Sequence, residues 1–190
     1  MSAPSVQTDD SVDPVPQLLE TERSLALPSF THATAFQLGL VIRSLALSQH
    51  PNSTIFISIT SAVTPPGAPA LILFQTCTGP DYLPDHMHWL ERKRNTVLRF
   101  GCSSLVMREI MRRAGGGFPL GDLEAQAMFV NKFGVDGEKF VASGGGVPIR
   151  ATGVDGIVAV VCVTGVTQEQ DHGLAVQGLR LLKEELDKTT

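Results

Sequence analysis

The stretch from residue 139 to residue 186 constrains the fold more than any other part of the chain. It contains three runs rich in β-branched residues, which glycines separate, and then a helical pattern. Because β-branched side chains favour strands and glycine favours turns, the runs predict three consecutive antiparallel strands. These strands are expected at residues 138–143, 147–152 and 157–163. Asp155-Gly156 is a strong signal for a hairpin, and the apolar run after it predicts a central strand covered on both faces.

The same stretch predicts one edge of the sheet and the last helix. Pro148 has no backbone N–H, so its strand belongs at an edge unless Pro148 begins the strand. Thr167 and Gln170 fit a capping box, in which each side chain accepts a hydrogen bond from the backbone N–H of the other residue. Apolar residues then recur at spacings of four, three and four, which predicts one buried helical face. They are Ala175, Leu179, Leu182 and Leu186.

The rest of the chain predicts a single domain after an N-terminal arm. Residues 1–28 are expected to be disordered or extended, since their first half is polar, carries prolines and lacks periodicity. Residues 29–190 are expected to form the domain. Its first further element is a helix over 31–47, with Thr34 and Gln37 as a second capping box. Strands are expected over 54–60 and 70–76. A long helix over 84–114 follows, which Gly115, Gly116 and Gly117 end, and then a short helix begins at Asp122. The fold class is therefore α/β (α+β), with helices packed on one five-stranded antiparallel sheet.

Composition excludes several classes of protein. The 190 residues carry a net charge of -4, so the whole chain has no electrostatic attraction to nucleic acid or anionic membranes. No apolar run approaches the roughly 20 residues of a membrane span, and no secretory leader is recognisable. The three cysteines are widely spaced, which favours a reducing, cytoplasmic location. No His-Glu-x-x-His or Cys-x-x-Cys motif occurs, so we expect no dedicated metal site.

Positive charge is concentrated between residues 92 and 113, where only Glu109 opposes it. One interpretation is a solvated helix face or a set of ion pairs with neighbouring chains. The other is a site for phosphate or carboxylate groups. Nucleic acid fits less well, because no exposed aromatic residues interleave with the basic ones.

Four segments in the same order resemble the UPF0303 family, which is grouped with the haem-degrading-type domain proteins. They are residues 92–104, 144–150, 156–165 and 168–172. The resemblance implies a profilin-like α/β/α sandwich and a homodimer or higher homo-oligomer. It also implies haem as a candidate ligand and, from fungal relatives, a protein partner in the targeting of tail-anchored membrane proteins. Some relatives carry histidine in the Phe-x-x-Ser-Ser segment, where Gly101 and Cys102 stand here, so a histidine ligand is not carried over to that segment.

Asp171 and His172 are the catalytic candidates. His172 would act as a general base, or else Asp171 helps to cap the last helix and His172 packs at a strand end. The helix N-terminus disfavours an added positive charge, so His172 is expected to be neutral at pH 7. A single histidine, His88 or His86, would suffice as an axial ligand of haem iron. The ligand-binding candidates are His88, Arg94, Ser103, Ser104, Gly144, Gly145, Gly146, Arg150 and His172.

Three functions remain open. In the first, the chain binds haem or another small ligand between the long helix and the 144–148 turn, with little or no catalysis. Alternatively, it is an oligomeric adaptor in cytosolic protein handling. In the third case it is an enzyme on a small anionic substrate, with His172 as acid and base and Arg94 or Arg150 as the anion clamp. The three glycines serve either hairpin geometry or a close approach of backbone to ligand.

Overall fold

Four antiparallel strands form one sheet in the order β2-β1-β4-β3. The computed structural model describes residues 13–65, 67–114 and 119–189. The strands are β1 (Phe56–Ser61), β2 (Ile72–Cys77), β3 (Gly146–Ile149) and β4 (Ala159–Thr164). The helices in the described residues are α1 (Val15–Ser24), α2 (His32–Gln49), α3 (Pro84–Phe100), α4 (Ser104–Arg113), α5 (Asp122–Phe133) and α6 (Gln168–Thr189).

The central and edge strands follow the sequence-based prediction. Every residue of β4 is buried, and β4 lies between β1 and β3. Pro148 stands in β3 at the edge of the sheet, where its missing N–H leaves no ladder bond unmade. The capping box of α6 is also confirmed, because the Gln170 N–H donates to Thr167 Oγ1 at 3.4 Å and the Thr167 N–H donates to Gln170 Oε1 at 3.2 Å.

The prediction of a fifth strand over residues 138–143 is wrong. The backbone N–H and C=O groups there form hydrogen bonds with side chains and not with a neighbouring strand. Thr96 of α3 accepts from the Val141 N–H at 3.1 Å and donates to the Val141 carbonyl at 2.9 Å. The Ala142 N–H donates to Gln126 Oε1 of α5 at 2.8 Å. With these groups paired, the segment packs between two helices and adds nothing to the sheet.

Helices cover the sheet on both faces. α2 and α6 lie on one face, and their buried side chains meet Ile57, Ile59, Val161 and Val163 in the main core. Thr31 caps α2 by accepting from the Thr34 N–H at 3.1 Å, so the predicted cap at Thr34 is displaced by one turn. α3 lies on the opposite face, chiefly over β3 and β4. Within the described part of the chain, no helix has the length and apolar character needed to cross a membrane.

The predicted helix over 84–114 is in fact two helices. Gly101 ends α3 in the left-handed conformation, with φ of 73°. Ser103 then caps α4 by accepting from the Val106 N–H at 3.1 Å. Apolar positions continue through the break, which is why the sequence pattern predicted one helix. The expected stop at Gly115, Gly116 and Gly117 lies outside the described residues.

The expectation of a disordered or extended arm over residues 1–28 is wrong for residues 15–24, which form α1. Val15, Leu18 and Leu19 pack against the apolar cluster of α4 and α5. The carboxylate of Glu22 is buried and accepts from the Ser103 N–H at 3.1 and 3.2 Å. An acidic group at the N-terminus of α4 complements the helix dipole, so α1 is fixed by charge as well as by apolar contact.

Candidate functional site

A cleft of about 650 Å³ opens between α3 and the strands β1 and β2. It exists because α3 lies chiefly over β3 and β4 and contacts β1 much less, which leaves the β2 side of this sheet face uncovered. β1 alternates buried isoleucines on the α2 side with Ser58 and Thr60 on the cleft side. A β-bulge opposite Ile59 and Thr60 turns Ile72 into the cleft, where it is 51% exposed.

Arg94 forms the positive end of this cleft. Its Nε donates to Thr60 Oγ1 at 3.1 Å and its Nη1 donates to Asn95 Oδ1 at 3.4 Å. These two bonds fix the guanidinium while Nη2 makes no hydrogen bond within the described part of the chain. Glu91 lines the same wall one turn earlier and forms no ion pair with Arg94 among the described residues. This wall therefore presents the guanidinium of Arg94, in a fixed position, to an anionic group of a ligand.

His88 lies at the mouth of the cleft, with 41% of its side chain exposed. Its Nε2 lies 3.5 Å from Glu138 Oε2, while Nδ1 makes no hydrogen bond to any described residue. His86 has a different environment: its ring stacks on Phe56 with centroids 4.3 Å apart, and its Nδ1 contacts the backbone of Leu83. The two histidines thus point to different sides of α3, as their spacing predicts.

A buried ion pair joins α3 to α6. Lys93 Nζ lies 2.9 Å from Asp171 Oδ2, and the two side chains are 2% and 3% exposed. Lys93 also donates to the Val163 carbonyl at 2.8 Å, and Asp171 accepts from the Val166 N–H at 3.2 Å. Burial raises the pKa of the Asp171 carboxyl, and Lys93 opposes that rise.

Sequence reasoning missed the role of Lys93, because it was grouped with the neighbouring arginines as part of one basic surface. The signal that would have found it is helical spacing. Lys93 stands three residues after Leu90 and four before Val97, and all three are buried on the same side of α3.

The glycine turn before β3 packs against this ion pair. Gly145 has φ of +113°, and a Cβ there would lie 2.7 Å from Lys93 Nζ and 2.4 Å from the Val163 carbonyl oxygen. The Gly146 N–H donates to Ser104 Oγ at 3.0 Å. A Cβ on Gly144 would lie 2.2 Å from the Gln168 carbonyl oxygen. The glycines therefore allow the protein to approach itself closely, and none of them lines the larger cleft.

His172 is buried beside the ion pair rather than in the larger cleft. It is 6% exposed, and its Nδ1 has no hydrogen-bond partner among the described residues. Burial, with Lys93 nearby, lowers the pKa of His172 to about 4, so the imidazole is neutral at pH 7. Of the two catalytic candidates, Asp171 lines a cleft and His172 does not.

That cleft is smaller, at about 340 Å³, and lies between α3 and residues 164–168. Its wall contains His86, Trp89, Lys93 and Asp171. Ser143, which directly precedes the glycine turn, also lines it. The pocket predicted between the long helix and the 144–148 turn would lie beside it, but none of residues 144–148 is on its wall. Its ammonium and carboxylate already bind each other, so the wall presents no uncompensated charge from that pair.

The remaining candidates lie at a third place, near α1. Arg150 Nη2 donates to the Gly101 carbonyl at 2.7 Å, and the Ser103 N–H is bound to Glu22. Cys102 is buried there, and burial together with the Glu22 charge raises the pKa of its thiol to about 12. The structure thus separates Ser103 and Arg150 from Arg94 and His88. A single site comprising all the predicted residues does not form.

Comparison with known proteins identifies the family. The family described as "Haem degrading protein HbpS-like" matches residues 30–180. The chain belongs to this HbpS-like family. Its relatives include UPF0303 protein YBR137W of Saccharomyces cerevisiae, which is 32% identical over 166 residues, 87% of this chain and 82% of the relative. UPF0303 protein RL3365 of Rhizobium johnstonii is 31% identical over 170 residues, 90% of this chain and 91% of the relative. The predicted UPF0303 membership is confirmed.

Two solved structures share the fold. The crystal structure of Ybr137w superposes with a TM-score of 0.75 at 30% identity, covering 90% of this chain and 88% of that one. A second structure, described as the PduOC:heme complex, gives a TM-score of 0.57 at 17% identity and covers 80% and 94%. At that identity the second likeness concerns the fold alone.

Proposed function

We propose that this chain binds haem, or a related flat molecule that carries carboxylate groups, in the cleft between α3 and strands β1 and β2. The observation that carries the proposal is the combination of a fixed Arg94 with an apolar wall in one cleft of about 650 Å³. Ile72 and residues 68–70 form that wall. A pocket of this size with few, well-placed polar groups is typical of a small-ligand site.

The residues of the cleft fit haem chemically. Haem would supply an iron that an imidazole can bind, and His88 would hold it through Nδ1, because Glu138 lies next to Nε2. A carboxylate beside the second ring nitrogen is the usual arrangement for a metal-bound histidine. Arg94 would bind a carboxylate of the ligand with its free Nη2. Cys162 also lines the cleft, but burial raises the pKa of its thiol to about 12, so it would not serve as a thiolate ligand.

Family membership supports the same ligand class. The chain belongs to the HbpS-like haem degrading family, and a protein of similar fold has been crystallised as a haem complex. The proposal concerns binding, with little or no turnover. It places the ligand on the opposite side of α3 from Asp171, which differs from an enzyme that uses Asp171 and His172 as its acid and base.

The test is a haem titration of the ligand-free protein, followed by the Soret band. We expect saturation at one haem per chain. His88→Ala should remove the Soret shift, and Arg94→Ala should weaken binding about tenfold through loss of a charged hydrogen bond. The matched controls are His32→Ala and Arg180→Ala, because both residues are exposed and lie on α2 and α6. Uptake that never saturates, or that neither cleft substitution alters, would overturn the proposal.

A further inference from the structure

A cavity of about 360 Å³ lies where α1 meets the turn between α3 and α4. It is separate from the cleft beside β1 and β2, and the two share no lining residue. The α1 part of its wall precedes the family match over residues 30–180, so family membership does not account for this cavity. Its wall contains Leu19, Glu22 and Arg23 of α1, Gly101 of the turn, and Arg150, which directly follows β3.

A buried carboxylate forms one side of this cavity. Glu22 is 6% exposed, and Ser103 is the only described residue that forms a hydrogen bond with its carboxylate. A carboxylate has about four acceptor positions and loses its hydration on burial, so a buried one normally accepts several hydrogen bonds or pairs with a cation. Burial raises the pKa of the Glu22 carboxyl, and Ser103, Arg150 and Arg23 oppose that rise without cancelling it. Glu22 therefore retains the capacity to bind a positively charged donor.

A fixed guanidinium forms another side of the cavity. Arg150 Nη2 donates to the Gly101 carbonyl at 2.7 Å, while Nε and Nη1 form no hydrogen bond with any described residue. Within the described part of the chain, no ion pair joins Arg150 to Glu22, although both residues line the same cavity. The wall therefore presents one anion and one cation that are not paired with each other, and both remain able to bind a ligand.

We infer that this cavity binds a free α-amino acid, with the ammonium of the ligand at the Glu22 carboxylate and its carboxylate at the Arg150 guanidinium. A zwitterion satisfies both groups at once. A simple anion would leave Glu22 without a cation, and a simple cation would leave Arg150 without an anion. The volume of about 360 Å³ lies at the lower end of the roughly 300–1,000 Å³ of small-molecule sites, which suits a ligand of this size.

Isothermal titration calorimetry of the ligand-free protein with L-alanine, L-leucine and L-glutamate tests the inference. We expect at least one of them to bind saturably, at one site per chain. The N-acetyl derivative of that amino acid lacks the ammonium, and its α-amide lacks the α-carboxylate, so each should bind at least about tenfold more weakly. The protein is unchanged in these titrations, so a folding defect cannot produce the result. No saturable binding of any of the three at millimolar concentrations would overturn the inference.

Substitutions of the two charged groups locate the site. Glu22→Gln should lower the affinity at least about tenfold, because an amide oxygen can still accept from the Ser103 N–H but carries no negative charge for the ammonium. Arg150→Gln should lower it by a similar factor through loss of the cation. The matched controls Glu20→Gln and Arg180→Gln, at exposed positions of α1 and α6, should leave the affinity unchanged.

Two results would place the amino acid elsewhere and so overturn the inference. One is an affinity that either cavity substitution leaves unchanged, and the other is an acetylated or amidated derivative that binds as tightly as its parent amino acid. The titrations contain no haem, and neither Glu22 nor Arg150 lines the cleft beside β1 and β2. Their outcome is therefore independent of the haem proposal.

Discussion

Removing one partner of the buried pair of Lys93 and Asp171 should be one of the most destabilising single changes to a polar group of this protein. The two side chains are 2% and 3% exposed, so solvent hardly reaches either charge. Asp171→Asn keeps the volume of the side chain but leaves the Lys93 ammonium with the Val163 carbonyl as its remaining partner. Lys93→Met leaves the carboxylate with backbone donors such as the Val166 N–H. Removing one partner of a buried pair costs about 3–5 kcal/mol, which is a large part of the roughly 5–15 kcal/mol of a whole domain.

Urea unfolding of the two single variants and the double variant measures this coupling. We expect each single variant to lose about 3–5 kcal/mol, and the double variant to lose less than the sum, because neither charge is then buried alone. The control is the partly exposed pair of Lys183 and Asp187 within α6, where Lys183→Met should cost at most about 0.5 kcal/mol. A loss below about 1 kcal/mol for Asp171→Asn, with an unchanged m-value, would refute the reasoning.

Two further predictions concern neighbours of this pair. The pKa of His172 is lowered to about 4, so its contribution to stability is present above pH 6.5 and is lost as the pH falls towards 4. Between pH 7 and pH 5 the unfolding free energy should fall about 2 kcal/mol more in the wild type than in His172→Gln. The control His32→Gln should behave as the wild type. An equal fall in the wild type and in His172→Gln would contradict this prediction. Gly145→Ala should cost more than about 2 kcal/mol by thermal unfolding, because its Cβ would lie 2.4 Å from a carbonyl oxygen, in addition to the strain of a positive φ. The control is Gly153→Ala, which should cost only about 1 kcal/mol, because Gly153 has φ of +75° but nothing within 4 Å of its Cβ position. Equal losses of stability at the two glycines would show that the close contact at Gly145 is relieved.

The parts of the fold that the sequence predicts correctly depend on local signals. The capping box at Thr167 and Gln170 needs residues three apart. The antiparallel pairing of the last two strands is also predicted correctly, but β3 ends at Ile149, earlier than the predicted 147–152, and residues 150–158 connect it to β4, so Asp155-Gly156 is not the tight turn that was expected. The apolar run over 157–163 also predicts its own burial, since only a strand covered on both faces contains so few polar side chains. These features require no knowledge of distant contacts.

The incorrect parts depend on distant partners. Residues 138–143 have the composition of a strand, yet side chains of Thr96 and Gln126 satisfy their backbone. Residues 15–24 form a helix against α4 and α5, and Glu22 is buried because the Ser103 N–H lies above it. No pattern within either segment specifies these contacts. The site was predicted incompletely for the same reason, because its candidates were grouped by residue type and the fold distributes them over three places.

The basic run over residues 92–113 shows how helical geometry divides one charge cluster among different tasks. Successive residues of a helix differ by about 100° in direction, so adjacent side chains enter different environments. Lys93 is buried and pairs with Asp171, whereas Arg94 lines the cleft. Arg108 lies in α4 and binds Asp122 and Glu169 across three helices. Neither a solvated face nor a single anion site describes the run. Because the lysine serves stability and the adjacent arginine faces the proposed ligand, substitutions at these two positions separate folding from binding within a single helix.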